Sequence, residues 1–122
     1  MHSFVLQDWL TIRGGATQVT QPEHEWMDLE AYQDVTLWLQ VSEVTGSPTC
    51  TYQTAPTADD SLFQAMATAV TLTAATAPVV TQVLMLNATT PLARFVRWQL
   101  NGTGTWDVTF RIMAAANAPG MM

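Results

Sequence analysis

The chain has 122 residues, 48% of them hydrophobic and only 11% charged, with five Trp, no Lys and a net charge of −6. That size suits one domain with its own core, and so many tryptophans beside so few charges exclude a disordered acidic chain. A lysine-free acidic protein cannot neutralise a run of phosphates, which argues against nucleic acid as a partner.

The first expected strand runs from Phe4 to Arg13 within MHSFVLQDWLTIR. This start has no basic segment and no small-residue cleavage site, so it does not read as a signal peptide. Gly14-Gly15 punctuates it before a second strand, Thr17 to Gln21. A Pro-led acidic loop follows with Glu23, His24, Glu25, Trp26 and Asp28, then a turn at Glu30-Ala31-Tyr32. In DVTLWLQVSEV the residues Val35, Leu37, Leu39 and Val41 alternate with Thr36, Trp38, Gln40 and Ser42, which predicts a strand with one apolar face and Trp38 on the other. Further strands are expected at Thr49–Thr54, Ala69–Thr73 and Val79–Asn87, separated by Pro- and Gly-containing turns. Ser61 and Gln64 have the spacing of a capping box, so 61–66 reads as a helical turn or a short strand.

Near the end, ARFVRWQL and TWDVTFRIM flank Asn101-Gly102-Thr103-Gly104, the pattern of a hairpin with a glycine turn. Trp106, Val108, Phe110 and Ile112 share one face of its second arm, which places Trp106 in the core. Residues 114–122 read as an extended tail. The expected architecture is all-β: one antiparallel, jelly-roll-like sandwich of seven or eight strands over residues 1–122. No apolar run approaches the roughly 18 residues that span a bilayer.

Catalytic constellations are missing. His24 is the one histidine away from the terminus, and it sits between two glutamates rather than beside a nucleophile. Two His and one Cys at long spacing make no zinc motif. Asp59 and Asp60, or Glu23, Glu25 and Asp28, offer oxygen ligands for a cation or else form solvated loops. No Gly-rich phosphate loop precedes a helix. The reading is therefore not an enzyme, with no cofactor. Cys50, alone, cannot form an intrachain disulfide and is expected to be a small buried hydrophobe. Asn87-Ala88-Thr89 and Asn101-Gly102-Thr103 match a glycosylation pattern, which the turn role of Asn101-Gly102 already explains.

What remains is surface. Trp38 and Trp98 fall on mixed faces of their strands, Trp38 with Thr36 and Gln40, Trp98 with Arg94, Val96 and Leu100, and with Arg97 on the same strand; Trp and Arg are the favoured anchors of interfaces. Trp26 and Tyr52 join them as aromatics available for ligand contact. Residues 1–61 carry −8 and residues 62–122 carry +2, so either the acidic half of one copy meets the basic half of another, or the acids form a solvated rim.

An acidic-aromatic lead-in (Glu25-Trp26-Met27-Asp28-Leu29, then Tyr32-Gln33-Asp34-Val35) enters a strand, and Ala93-Arg94-Phe95-Val96-Arg97-Trp98-Gln99-Leu100 precedes a glycine turn and a last alternating strand. This order resembles the discoidin-like or galactose-binding-like sandwiches, in which an Arg-aromatic-aliphatic-Arg strand pairs with the last one. It is also similar to the small sandwich proteins that decorate bacteriophage capsids or fit the head. The second resemblance implies a non-enzymatic virion protein, self-associating in many copies and bound to a major capsid or other virion protein. The first implies a carbohydrate-binding module with aromatics for sugar rings.

Overall fold

Side chains that alternate in twos along nearly every strand leave one apolar face per strand, and two sheets bury those faces against each other. The computed structural model describes residues 2–14, 17–32, 34–66, 69–72, 79–83 and 92–117. In chain order the strands are β1 (His2–Ile12), β2 (Gln18–Thr20), β3 (Met27–Asp28), β4 (Asp34–Thr45), β5 (Thr49–Ala55), β6 (Gln64–Ala65), β7 (Val70–Thr71), β8 (Val79–Val83), β9 (Phe95–Asn101) and β10 (Asp107–Asn117). Short 3-10 turns occupy Glu23–Glu25 and Asp60–Leu62.

The first sheet has the order β1-β10-β4-β8, and the second β2-β9-β5-β6, with β3 also on β9 and β7 also on β5. Every pairing is antiparallel. The partners nest: β1 with β10, β2 with β9, β4 with β8, β5 with β6 and β7. Nested pairing of this kind is a long two-stranded ribbon wrapped around a core, the jelly roll. The all-β sandwich read from the sequence is the fold of the protein.

Val35, Leu37, Leu39 and Val41 of β4 are buried, as are Trp106, Val108, Phe110 and Ile112 at the start of and along β10. The hairpin expected at the end does not form. β9 belongs to the second sheet and β10 to the first, so residues 102–106 cross between sheets. Each strand carries a complete apolar face, Val96, Trp98 and Leu100 on one, Val108, Phe110 and Ile112 on the other. Opposed across the core, both faces are covered; the Trp98 and Phe110 rings meet edge to face at 5.1 Å. Nor is there a tail from residue 114: Ala114, Ala115 and Ala116 continue β10 and are buried, while 118–122 lie outside the described residues. The expected strand ends Thr73 and 84–87, and the Asn87 sequon, also lie outside them.

The turn after β5 is capped two residues earlier than the Ser61 pattern implies. Asp59 caps it, its Oδ1 accepting from the Ser61 amide at 3.0 Å, and Gln64 enters β6. The buried Gln21 does what no motif foretold. Its Nε2 donates to the Leu6 carbonyl at 2.7 Å and the Glu25 carbonyl at 3.1 Å, while its Oε1 accepts from the Trp98 amide at 3.3 Å. One side chain thus ties β1, the first 3-10 turn and β9, and satisfies three backbone groups that burial would otherwise leave costly.

Cys50 is fully buried beside Tyr52, and desolvation pushes its thiol up to about 12. The thiolate, the reactive form, is therefore suppressed. A thiol reagent such as dithionitrobenzoate is expected to leave the native protein unmodified at pH 8 and to titrate one thiol once denaturant is added. The buried Tyr52 hydroxyl has no hydrogen-bond partner of good geometry. An unsatisfied buried hydroxyl costs about 1–3 kcal/mol, so Tyr52→Phe is expected to leave the melting temperature unchanged or raise it. A clear drop in a thermal melt would mean the hydroxyl is engaged.

Candidate interaction surface

The two outer faces of the sandwich are unlike, and the difference begins with two irregularities in β1. Register with β10 shifts between Val5 and Gln7 and again between Gln7 and Leu10. At the second shift Asp8 and Trp9 both stand opposite Arg111, a β-bulge, which turns Trp9 outward while Leu10 returns inward against Phe110. The Asp8 carboxylate accepts from the Trp9 amide at 2.8 Å and fixes the bulge. Gln7 points in, its Oε1 accepting from the Trp98 indole at 3.1 Å.

Cross-strand register then sets four rows on the outer face of the first sheet: Ser3, Ala115, Thr36; Val5, Met113, Trp38; Trp9, Arg111, Gln40; Thr11, Thr109, Glu43. The Arg111 guanidinium stacks 4.9 Å from the Trp9 ring centre, and its Nε and Nη2 both donate to Gln40 Oε1, the former at 2.8 Å. Such stacking holds both side chains in place. Trp9 is nevertheless 47% exposed and Val5 52% exposed. They adjoin half-buried Trp38 and Met113, so this face presents a flat, pre-ordered apolar strip with a single cation.

On the outer face of the second sheet the patch around Arg97 is covered by loops, while the polar Thr49, Thr51, Gln99 and Asn101 stay half-exposed. Arg97, 4% exposed, packs over the rings of both Phe63 and Trp26, at 3.9 and 5.1 Å from their centres. Its Nε donates to Gln53 Oε1 at 2.8 Å and its Nη1 pairs with the exposed Asp60 carboxylate. Trp26 meets Phe63 edge to face at 4.7 Å and donates its indole N–H to the Gln21 carbonyl at 2.7 Å. Both loops are thereby clamped down over β9. At the margin, Arg94 grips Asp28 at 3.0 Å and Glu30 at 3.5 Å, which holds the Asp28 carboxyl below its usual range.

The six side chains singled out in the sequence therefore part company. Trp98 and Tyr52, expected as contact residues, are each 1% exposed and form a cross-strand pair inside the core. Their neighbours along each strand, Val96 and Leu100 or Cys50 and Thr54, are buried with them, so the faces were not mixed. Arg97 and Trp26 come together, but as an internal clamp. Arg94 is occupied by two carboxylates. Trp38 alone joins the open face, where Val5, Trp9, Arg111 and Met113 were not foreseen. The acids considered for a cation are spoken for at Asp28, Asp59 and Asp60. Among the described residues no group of three or more His, Cys, Asp or Glu converges.

One small concavity, where the ends of β1, β4 and β10 meet, is lined by Thr11, Arg13, Glu43, Asp107 and Thr109. A shallow depression lined by Thr17, Ser47, Thr49, Asn101, Gly102 and Thr103 has no titratable group. Compared with models of protein families, with curated proteins and with solved structures, the chain matches none.

Proposed function

We propose that the protein is a non-enzymatic structural subunit of a virus particle, a capsid decoration or head-associated protein that works through protein–protein contacts and assembles in multiple copies. The observation that carries this reading is the contrast between the two faces: one has its aromatics clamped over Arg97 and otherwise presents polar Thr, Gln and Asn, while the other holds Trp9, Val5, Trp38 and Met113 open around a stacked Arg111. Aromatic anchors next to an Arg, free of Lys, have the composition of a contact surface. The jelly roll itself is shared by viral capsid and lectin domains, which is an argument from analogy only.

A second reading, a carbohydrate-binding sandwich, draws on one specific feature: a half-exposed, immobilised Trp9 is a ready platform for a sugar ring. Co-sedimentation of the purified chain with virus particles, run beside a glycan array and a tryptophan-fluorescence titration, separates the two. Saturable binding to particles with a blank array supports the structural reading. A specific glycan response without particle binding overturns it.

A further inference from the structure

Among the described residues the first sheet ends in β1 on one side and β8 on the other, and these two strands are built differently. β1 is broken by its two bulges, a device that keeps an edge from recruiting another strand. β8 runs without a shift along β4, from Val35↔Val83 to Leu39↔Val79, and among the described residues nothing pairs with its other side. Its sequence, Val79-Val80-Thr81-Gln82-Val83, contains no charge, no Pro and no Lys. Those are the residues that proteins use to blunt an exposed edge. Residues 61–93, which include β8, carry no Asp, Glu, Lys, Arg or His at all, although the chain is strongly acidic.

We propose that β8 is a self-pairing interface strand: two copies join antiparallel about a two-fold axis at Thr81, making one continuous sheet from two. The register sets Thr81 against Thr81 of the second copy, Val80 against Gln82 and Val79 against Val83. The occupant is argued from the edges themselves. The unpaired N–H and C=O groups of an edge form a ready template for another extended strand. Pairing of β8 with β1 of another copy would stop at the first bulge, after His2–Val5, and would build an open filament. β8 against β8 is self-complementary, closes as a dimer, and brings no like charges together in a molecule of net charge −6. Val80 and Gln82 hold the register positions next to Trp38 and Thr36. This contact rests on the multi-copy reading above and names the surface through which copies meet.

The test uses the full chain in analytical ultracentrifugation. The wild type is expected to sediment at twice the chain mass. V80K/Q82K places Lys opposite Lys across the axis and is expected to weaken the dimer on the order of tenfold or more, with the far-ultraviolet circular dichroism unchanged. V80K/Q82E places Lys opposite Glu and is expected to restore it. Should the double-Lys variant fail to fold, hydrogen exchange on the wild type serves instead, with amides of 79–83 slowing as concentration rises. A wild type that stays monomeric, or exchange at 79–83 that ignores concentration, overturns the proposal. So does a dimer indifferent to V80K/Q82K. A monomer that still binds virus particles overturns edge pairing and leaves the structural-subunit reading standing. A β8-dependent dimer that binds glycans and no particle does the reverse.

Discussion

Replacing Trp106 with Ala is expected to destabilise the protein by about 3–5 kcal/mol, the range for removing a large buried aromatic. For a domain of this size that is a fall in melting temperature of about 10 °C or more. Trp106 is 1% exposed and closes one end of the core where the chain crosses from β9 to β10. Gly102 lies directly against it: a Cβ there would stand 2.6 Å from Trp106 Cδ1 and Nε1. Since that contact is shorter than side chains tolerate, Gly102→Ala should also destabilise the wild type. In a Trp106→Ala background the clash has no partner, so Gly102→Ala should then cost little. Such non-additivity is what direct contact produces. Additive losses in denaturant titrations would show that Trp106 does not sit beneath the crossover.

Trp9→Ala is expected to do the opposite, sparing the fold and removing function. The ring is 47% exposed and rests on Arg111 without entering the core, so the melt should move little. A Trp anchor at a contact centre is commonly worth 2 kcal/mol or more, so under the proposed virion reading binding to a virus particle should weaken about thirtyfold. Arg111→Gln should reproduce part of the loss, because the indole would no longer be held flat. Trp98→Ala is the contrasting variant. It should lower stability strongly, and leave Gln7 without its indole donor, with any binding defect explained by unfolding alone. Equal loss of binding and stability in Trp9→Ala would place its ring in the folding core and remove it from the contact face.

How much of this could be read from the residues depended on whether a strand kept its phase. β4 and β10 alternate for most of their length, and Val35, Leu37, Leu39, Val41, Val108, Phe110 and Ile112 all lie where a period of two puts them. β1 breaks phase in its middle. Its two bulges turn Gln7 inward and Asp8 outward and then cancel, so Phe4, Leu6, Leu10 and Ile12 face in and Val5 and Trp9 face out as plain alternation has it. Bulges leave little trace in composition, so the inward Gln7 was hidden; Trp38 was found on the open face, while Trp9, which the same alternation turns outward, was not singled out. Trp98 was misplaced for another reason. Arg94 precedes β9, and taking it as part of the strand made the clean face of Val96, Trp98 and Leu100 look mixed.

The crossover at 102–106 was hidden because Asn-Gly-Thr-Gly marks a reversal of the chain but not the sheet to which it returns. Only the need to cover two apolar faces decides that, and this need is non-local. The Arg97 clamp has the same character: Trp26, Gln53, Asp60, Phe63 and Arg97 meet from four separate stretches, each with an ordinary local sequence.

Hydroxyl-radical footprinting of the free chain and of the chain bound to virus particles most directly tests whether the open face of the first sheet is where the protein works. Oxidation of Trp9 and Met113 should be ready in the free chain and fall severalfold on the particle, with the acidic loops around Glu23–Glu25 unchanged. Protection of those loops, with Trp9 and Met113 as reactive as before, would contradict the account.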